Sequence, residues 1–366
     1  MIRILQCVND MHRAGLETML MNYYRNIDRE KIQFDFLTHR PQRSDYDDEI
    51  ESLGGKIYYA PRLYPQNYSK YFKWMKQFFS EHPEYKIIHS HIDAMSYLPL
   101  KAAKKANIPV RIAHSHNTSI DKDFKYLLKQ YFRSRITTVA TDYCTCGQEA
   151  GKFLFGNKDF TFIPNAIEVD KFLYDKYLRN KKRAELGIKD EFVVGHVGRL
   201  SYQKNHKLLI EIFNSLLKLE RNALLILVGV GEKEEEIKKQ IHELGLDSKV
   251  KFLGNRSDVN ELYQAMDVFV MPSFFEGVPV VGIEAQFSDL PCIFSDRVPK
   301  EVKFNSKTQF VKLEATLDEW VKSIERTKNI ERNSKAKDLQ NSQYDIKVAH
   351  SILENYYLDI VNKKGL

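Results

Sequence analysis

The chain has 366 residues and a net charge of +7 at neutral pH, a length that suits two domains or one large one. Hydrophobic residues make up 43% and charged residues 29% of the chain, so packed cores and a polar surface are both expected. No apolar run approaches the roughly 20 residues that span a bilayer. The modest positive charge fits an anionic substrate, an anionic membrane surface or nucleic acid, but no nucleic-acid motif is recognisable, so nucleic acid is not expected as a partner. Residues 2–8 are too short an apolar run for a signal peptide and predict a buried strand.

The cysteines argue for a reducing compartment. Cys7, Cys144, Cys146 and Cys292 form neither a CxxC pair nor the spacing of a zinc site. We therefore interpret them as reduced thiols of a cytoplasmic protein. Cys144 and Cys146 could ligate a metal, but a strand with two small buried side chains is the favoured interpretation.

Alternating apolar strands and amphipathic helices occupy the first half of the chain, a pattern typical of a parallel α/β sheet. Gly15 stands between the first strand and its helix, where a glycine lets the backbone approach a ligand closely. Strands are predicted at 2–8, 34–38, 56–59, 86–90, 109–113, 138–145 and 160–163, and helices at 16–24, 45–54, 96–106 and 148–155.

The second half repeats this alternation after a charged segment, 173–188, that is predicted to be a helical linker. Asp258 is predicted to cap the helix that follows it. Strands are predicted at 192–197, 224–228, 250–253, 268–271 and 291–294, and helices from about 205, at 233–244, at 317–327 and at 346–361.

Two segments suggest contact with an anionic surface. Residues 61–82 mix Tyr, Phe and Trp with Lys and Arg, which suits a bilayer interface; an amphipathic helix packed on its own sheet is slightly favoured. Residues 101–135 carry nine basic side chains against Asp121 and Asp123. This stretch could meet an anionic lipid or a lipid-diphosphate acceptor, with a solvated helix face as the alternative.

Two histidine pairs follow neighbouring predicted strands, as 89-HSH-91 and 114-HSHNTS-119. Strand ends in such a sheet deliver side chains to ligands, and histidine is a common acid, base or transition-state donor. The pairs therefore indicate a functional cleft. Neither pair is accompanied by Cys, Asp or Glu at metal-ligand spacing.

A phosphate clamp is predicted in the segment 195-GHVGRLSYQKNHKLLIEIF-213. Arg199 and Lys204 lie in the turn between a strand and a helix. An arginine can bind two oxygens at once and a lysine adds a point charge. Two surface cations after a strand are the alternative interpretation.

The most informative stretch is 268-VFVMPSFFEGVPVVGIEAQFSDLPCIFSD-296. It predicts a strand, a loop, a helix whose first turn suits Pro279, and a second strand. Glu276 in the loop and Glu284 on the helix place two hydroxyl-binding carboxylates beside a helix N-terminus that favours an anion. Phosphate together with hydroxyls indicates a nucleotide sugar; an ordinary βαβ unit with two solvated glutamates is the alternative.

These motifs resemble the signatures of retaining glycosyltransferases of the GT-B fold, family 4, and especially of bacterial exopolysaccharide and capsular polysaccharide enzymes. Those enzymes carry E-x7-E within a segment similar to 272-PSFFEGVPVVGIEAQ-286. They also carry an arginine and a lysine at positions similar to those of Arg199 and Lys204 in 195–206. The segment 163-IPNAIEVDKF-172 is also similar, although Ala166 and Glu168 replace the usual Gly and Asp. At Ala14-Gly15 the first of two usual glycines is missing.

The resemblance implies roles for individual residues. His116, with His114 as second choice, would contact the donor sugar near the reacting carbon, and Arg199 and Lys204 would bind the donor diphosphate. Glu284 would accept the ribose hydroxyls, and Glu276 would hold the sugar hydroxyls. Gly15 would face the donor diphosphate or the acceptor, with a plain turn glycine as the alternative. The other residues expected at the donor are Arg256, Gly277, Val278, Pro279 and Val280.

The resemblance further implies two Rossmann-like domains that face each other across a cleft: 1–172 on the acceptor side, 173–345 for the nucleotide sugar, and 346–366 as a helix returning to the first domain. The expected reaction is retaining transfer from a nucleoside-diphosphate sugar, with uracil as the favoured base, to a lipid-linked saccharide at the inner face of the cell membrane. No cofactor or metal is expected. A nucleotide-sugar epimerase and a non-catalytic nucleotide-sugar-binding partner in a polysaccharide complex are the alternatives.

Overall fold

The computed structural model describes residues 1–120, 124–333 and 342–366, which form two compact units. The first unit comprises Met1–Ala166 together with Ile346–Leu366, and the second comprises Ile167–Asp345. The units thus divide after residue 166, whereas the sequence interpretation places the domain boundary at 172. Across the described ranges, every helix is too short or too polar to cross a membrane.

The described part of the first unit is built on a seven-stranded parallel sheet with the order β3-β2-β1-β4-β5-β6-β7. This order places helical crossovers on both faces of the sheet, as in doubly wound α/β folds. The strands are β1 (Ile2–Cys7), β2 (Ile32–Thr38), β3 (Ile57–Tyr59), β4 (Ile87–Ser90), β5 (Val110–Ser115), β6 (Asp142–Thr145) and β7 (Thr161–Phe162).

The described part of the second unit has a six-stranded parallel sheet with the order β10-β9-β8-β11-β12-β13. All of β9 is buried, as expected for a strand covered on both faces. The strands are β8 (Phe192–Val197), β9 (Ala223–Val228), β10 (Val250–Phe252), β11 (Val268–Met271), β12 (Cys292–Ser295) and β13 (Thr308–Val311).

The helices cover these sheets. In the first unit they begin with α1 (Gly15–Asn26), α2 (Asp47–Ser52), α3 (Tyr68–Glu81), α4 (Tyr97–Lys105), α5 (Tyr126–Arg135) and α6 (Gln148–Phe155). The second unit contains α7 (Lys176–Glu185), α8 (His206–Leu216), α9 (Glu234–Glu243), α10 (Val259–Ala265), α11 (Val280–Phe287) and α12 (Leu317–Glu325), and the last helix is α13 (Ile346–Lys364).

The aromatic segment 61–82 packs on its own sheet. Helix α3 buries Tyr71, Met75, Phe78 and Phe79 in the core of the first unit, and Trp74 packs against that core. The amphipathic-helix interpretation is therefore confirmed, and the large apolar side chains of this helix are used in packing.

Helix α13 returns to the first unit, as the resemblance implies. The hydroxyl of Tyr357 lies 3.0 Å from Nε2 of Gln6 on β1 and 2.6 Å from Nδ1 of His89 on β4. The end of the chain thus covers one face of the first sheet.

The predicted bounds of β2, β5 and β6 are wrong by two residues or more, and β2 begins at residue 32 instead of 34. β6 begins at residue 142 instead of 138, because Ile136–Thr138 forms a 3-10 turn. In addition, the carbonyl of Val139 accepts a 2.7 Å hydrogen bond from Nε of Arg111. β5 continues to residue 115 instead of 113, because its ladder with β6 extends through His114 and Ser115.

The segment 173–188 is not a linker. It contains α7, whose Lys182 and Arg183 are buried against α10. Lys182 Nζ lies 2.9 Å from a carboxylate oxygen of Asp258, and the guanidinium of Arg183 donates to the carbonyl of Ala265 at 3.0 Å. Asp258 therefore does not cap α10 with its side chain, because Lys182 and Arg256 use its carboxylate.

Candidate active site

The stretch 268–296 forms the strand, loop, helix and strand that its sequence predicts. β11 ends at Met271, and α11 begins at Val280 with Pro279 as its N-cap residue. Proline suits this position because it has no N–H to leave unpaired. Gly277 and Val278 are buried just before the helix. The loop thus leads into a helix N-terminus that suits an anion.

This loop is joined to the turn that carries Lys204. The amide of Phe274 donates to the carbonyl of Gln203 at 2.9 Å, and Nε2 of Gln203 donates to the carbonyl of Phe275 at 3.0 Å. Asn205, which has a positive φ of 52°, donates from Nδ2 to the carbonyl of Pro272 at 3.1 Å. Two predicted motifs that are distant in sequence therefore form one structure.

Lys204 and Glu276 form an ion pair at the centre of this structure. Lys204 Nζ lies 2.7 Å from Oε1 of Glu276, and Gln203 Nε2 donates to Oε2 at 3.1 Å. The side chains of Lys204 and Glu276 are only 13% and 5% exposed. A buried pair costs desolvation, and removing one partner leaves an uncompensated charge. An incoming phosphate would therefore compete with Glu276 for the ammonium group.

Arg199 lies outside this ion pair. Its side chain is 68% exposed, and its guanidinium lies 3.0 Å from a carboxylate oxygen of Glu232. Glu232 belongs to the turn 229-GVGE-232 that follows β9, so the structure brings Arg199 to that turn and Lys204 to the 272–279 loop. An exposed pair of this kind contributes little stability, so Arg199 can exchange its partner at low cost.

Glycines allow the turns after β8 and β9 to touch. A Cβ on Gly229, which has φ +131°, would lie 2.1 Å from the carbonyl oxygen of Gly198, and one on Gly231 would lie 2.3 Å from that of Leu200. Both distances are too short for any side chain, so both positions require glycine. This close approach fixes the backbone beside Arg199.

Glu284 is buried on α11. Its Oε2 accepts the hydroxyl of Tyr263 at 2.9 Å. Burial raises the pKa of Glu284 to about 7, and the hydrogen bond from Tyr263 opposes this rise. The carboxyl group therefore changes its charge near neutral pH.

Two other predicted donor residues occupy different settings. Arg256 makes two 2.7 Å hydrogen bonds to the carboxylate of Asp258, so its guanidinium is already engaged. Gly15 is the first residue of α1 in the first unit, after the extended residue Ala14. A ligand that recruits Arg256 would have to compete with Asp258.

A histidine pair near Lys204 was not predicted as part of the site. His196 on β8 and His206 on α8 are buried, with ring centroids 4.7 Å apart. His196 Nδ1 lies 2.8 Å from the carbonyl of Val270, while its Nε2 has no hydrogen-bond partner among the residues that the structure describes. Burial lowers the pKa of His196 to about 4 and that of His206 to about 2, and the charge of Lys204 is a smaller cause that acts in the same direction on both.

The signal for this pair was present in the sequence. Both histidines lie within 195-GHVGRLSYQKNH-206, the segment that carries the predicted clamp. Nothing in their spacing shows that the two rings meet, because β8 and α8 are joined through an irregular turn.

The histidines of the first unit also form a cluster. The rings of His89 and His91 lie 4.2 Å apart and those of His114 and His116 lie 4.1 Å apart. Burial lowers the pKa of each ring, that of His116 to about 3. The structure thus brings His114 and His116 together with both histidines at the end of β4.

Three of these histidines are close enough to hold a metal ion, because ring nitrogens of His89, His91 and His114 lie within 4.8 Å of one another. Five of their six ring nitrogens already hydrogen-bond to protein side chains. A metal would have to break such bonds, so hydrogen bonding explains the cluster better. The absence of a metal requirement stays a prediction.

Comparison with protein families finds two matches. Residues 13–171 match the model described as "Glycosyltransferase Family 4", and residues 179–345 match "Glycosyl transferases group 1". These ranges cover most of the two compact units.

Individual relatives agree with the family matches. The chain is 38% identical over 309 residues to EpsF of Bacillus subtilis (strain 168), a glycosyltransferase by name, covering 82% of this chain and 80% of EpsF. It is 29% identical over 228 residues to an Escherichia coli UDP-Gal:alpha-D-GlcNAc-diphosphoundecaprenol alpha-1,3-galactosyltransferase, covering 58% of each chain. The crystal structure of Anabaena Alr3699/HepE in complex with UDP-glucose has a TM-score of 0.79 at 20% identity, covering 98% of this chain and all of that one, which shows a shared fold.

Proposed function

Because this chain is a glycosyltransferase that belongs to family 4 and has the GT-B fold, we propose that it moves a sugar from a UDP-linked donor to a lipid-linked saccharide of a growing polysaccharide. The observation that carries the proposal is the Lys204–Glu276 pair beside the N-terminus of α11. Cation, carboxylate and helix N-terminus together match a diphosphate joined to a hydroxylated sugar.

The donor diphosphate is assigned to Lys204, Arg199 and the first amides of α11. On donor binding, Lys204 exchanges Glu276 for a phosphate oxygen, and Arg199 exchanges its exposed Glu232. These groups then stabilise the charge that builds on the leaving diphosphate, which is electrostatic preorganisation. The buried setting of Lys204 strengthens its interaction, because few waters screen it.

The carboxylates are assigned to hydroxyl groups of the donor. Glu276, released from Lys204, accepts hydrogen bonds from sugar hydroxyls, and backbone N–H groups between Gly277 and Val280 donate to them. Glu284 accepts the ribose hydroxyls, for which its ionised form is the better acceptor. Gly15 and Arg256 are assigned to the donor diphosphate and the base respectively, on resemblance alone.

The proposed reaction retains the configuration of the reacting sugar carbon. The bond from that carbon to the diphosphate oxygen breaks, and the acceptor oxygen attacks the same face. The departing phosphate takes the acceptor proton, so no protein nucleophile is required. His116, or its neighbour His114, is assigned to the sugar near the reacting carbon.

Two names among the relatives support the chemistry of donor and acceptor. The Escherichia coli relative is named for UDP-galactose and a diphosphoundecaprenol-linked GlcNAc, and the Anabaena protein was crystallised with UDP-glucose. We propose the same classes here: a UDP-sugar, and a saccharide on a lipid diphosphate. Action on such an acceptor would place the protein in the cytoplasm, at the inner face of the cell membrane.

Transfer is tested directly by incubating the protein, in EDTA, with a panel of UDP-sugars and a short-chain polyprenyl-diphosphate saccharide. Formation of a lengthened glycolipid with retained anomeric configuration supports the proposal. Conversion of the donor sugar without acceptor would favour an epimerase, and tight donor binding with no product from any lipid-linked acceptor would favour a non-catalytic binding protein.

Helix α5 provides a surface for the membrane that carries such an acceptor. Phe124, Leu127 and Tyr131 are 85%, 81% and 51% exposed and lie along one side of the helix and its approach. Tyr97 lies between these side chains and a basic patch that includes Lys101, Lys104 and Lys105. The ring of Tyr97 is 6.4 Å from that of Tyr131 and 5.1 Å from Nζ of Lys101. Exposed apolar side chains flanked by cations fit an anionic bilayer.

The patch is smaller than the sequence count implies. Arg111 is turned inward, with its guanidinium on the carbonyl of Val139 at 2.7 Å. Asp121, Lys122 and Asp123 lie outside the described residues. The described cations beside α5 include Lys101, Lys104 and Lys105, which line an open pocket with Tyr97, Thr138 and Val139.

Vesicle sedimentation tests this surface. The variant Phe124→Ser/Leu127→Ser should lose at least about tenfold in binding to phosphatidylglycerol vesicles, since each buried apolar side chain contributes on the order of 1.5 kcal/mol. Leu219→Ser, which alters a 61% exposed leucine of the second unit, is the matched control. The proposed membrane contact of α5 would be refuted if both variants bound equally well, or if the protein bound zwitterionic vesicles as well as phosphatidylglycerol vesicles.

A further inference from the structure

One face of the first sheet carries an unusual set of polar side chains. Gln6 on β1 pairs in register with His89 on β4, and alternate residues of a strand share a face. His91, His114 and His116 therefore project on the same side as Gln6 and His89. The side chain of Tyr357, from α13, reaches this set, and Gln6, His89, His91 and His114 are at most 3% exposed.

Hydrogen bonds connect the set into two branches that start at Gln6. In the first branch, Nε2 of Gln6 donates to the hydroxyl of Tyr357 at 3.0 Å, which lies 2.6 Å from Nδ1 of His89. Nε2 of His89 then lies 3.1 Å from Nδ1 of His114. In the second branch, Oε1 of Gln6 lies 2.8 Å from Nε2 of His91.

The direction of every bond in the first branch follows from Gln6. The Tyr357 hydroxyl accepts from the amide, so its own hydrogen goes to Nδ1 of His89. A neutral imidazole carries one N–H, so His89 is protonated on Nε2 and donates to Nδ1 of His114. His114 must then carry its hydrogen on Nε2, a buried atom with no hydrogen-bond partner among the described residues.

The second branch reaches the same result. The amide oxygen of Gln6 can only accept, so His91 carries its hydrogen on Nε2. Nδ1 of His91 is then an acceptor, and it lies 3.1 Å from Nε2 of His116. His116 is therefore protonated on Nε2, and its Nδ1 bears a lone pair. Turning the Gln6 amide around would reverse all four tautomers together.

We propose that Gln6 and Tyr357 are positioning residues that hold all four histidines in the Nε2–H tautomer. The consequence is that His114 offers a buried N–H donor and His116 an Nδ1 acceptor. A buried donor left without a partner is costly, so His114 is matched to a ligand oxygen. This proposal rests on the assignment of His116 and His114 to the donor sugar.

The arrangement also gives α13 a role beyond packing. Its Tyr357 supplies the only hydroxyl that joins Gln6 to His89 among the described residues. The neutral state that the argument requires is consistent with burial, which lowers the pKa of each of the four histidines.

The tautomers can be measured without any substrate. With nitrogen-15 in the histidine rings, two-dimensional NMR near neutral pH distinguishes Nδ1–H from Nε2–H by the shifts of the two nitrogens. The expected result is Nε2–H for His89, His91, His114 and His116. A finding of Nδ1–H at His114 would overturn the proposal, whatever the enzyme transfers.

Tyr357→Phe provides a variant with an internal control. Without the hydroxyl, His89 and His114 should become mixed in tautomer, while His91 and His116, which Gln6 holds directly, should remain Nε2–H. Turnover should fall by about 100-fold, the lower range for a positioned proton donor, with the dissociation constant for UDP unchanged. An unchanged His114 tautomer would overturn the role of Tyr357.

The two readouts separate the proposal from the function on which it rests. Expected tautomers together with unchanged turnover in Tyr357→Phe would mean that the network exists but does not serve the sugar. A variant that fails to fold would lose the signals of all four rings, and the wild-type tautomers would then decide the matter.

Discussion

Acid should destabilise the first unit, and His39 allows the size of the effect to be calculated. The ring is 4% exposed, with Nδ1 at 2.7 Å from the carbonyl of Val8 and Nε2 at 3.1 Å from the hydroxyl of Tyr71. Burial lowers the pKa of His39 to about 4, although the bond to Val8 opposes the shift. The folded protein therefore keeps this ring neutral where an unfolded chain would protonate it.

The sign and the magnitude follow from proton linkage. An unfolded histidine has a pKa of about 6.5, so between about pH 6.5 and 4 the unfolded state binds more protons and stability falls with falling pH. At about 1.4 kcal/mol per pKa unit, lowering the pH from about 7.5 to 5 should cost about 2 kcal/mol through His39 alone. Below pH 4 the folded ring is protonated too, and the loss levels off.

The chain offers one tryptophan in each unit, Trp74 and Trp320. In a Trp320→Phe background, Trp74 fluorescence during urea unfolding reports the first unit. Replacing His39 with Gln, which can still donate to Val8, should reduce the acid-induced loss in unfolding free energy by about 2 kcal/mol. The other buried histidines act equally in both proteins. An identical pH dependence with and without His39 would refute the reasoning.

The other predictions concern the second unit. Lys204→Ala should lower turnover at least about 100-fold, the cost of losing one transition-state donor. Arg199→Ala should lower turnover as much but should barely affect stability, because its pair with Glu232 is exposed. Full activity of either variant would refute its assignment. Because burial raises the pKa of Glu284 to about 7, UDP affinity measured by calorimetry should weaken as the pH falls below 7, and Glu284→Gln should bind weakly with no such dependence. Gly229→Ala, which would place a Cβ 2.1 Å from the carbonyl of Gly198, should lower the melting temperature and UDP affinity together; a wild-type melting temperature would show that the turn can adjust.

The strands and the main loop were predictable because their signals are local. The apolar run Val268–Met271 ends at Pro272, and Phe192–Val197, which is apolar except for Gly195 and His196, ends at Gly198. The observed bounds of both strands match the prediction. The position of Glu276 before α11 follows from the same punctuation. The start of β6 was predicted wrongly because Arg111, a residue of the neighbouring strand, donates a side-chain hydrogen bond to the carbonyl of Val139.

The contacts that define the candidate site were not predictable in this way. Lys204 and Glu276 are 72 residues apart, and Gln6 and Tyr357 are 351 apart. Gln6 and Glu276 stand out as polar side chains beside apolar residues in the sequence, but only folding brings the partners together. The inward turn of Arg111 and the burial of Lys182 likewise depend on acceptors supplied by other elements.

The most direct test of the central claim is a thermal-shift panel of UDP, GDP, ADP and CMP in EDTA. We expect UDP to stabilise the protein, by about 2.7 kcal/mol at 100 times its dissociation constant. The shift should vanish in Lys204→Ala and persist in Lys207→Ala, which alters the exposed lysine three residues along the chain. If none of the four nucleotides raised the melting temperature, the result would contradict the diphosphate site and the transfer reaction built on it.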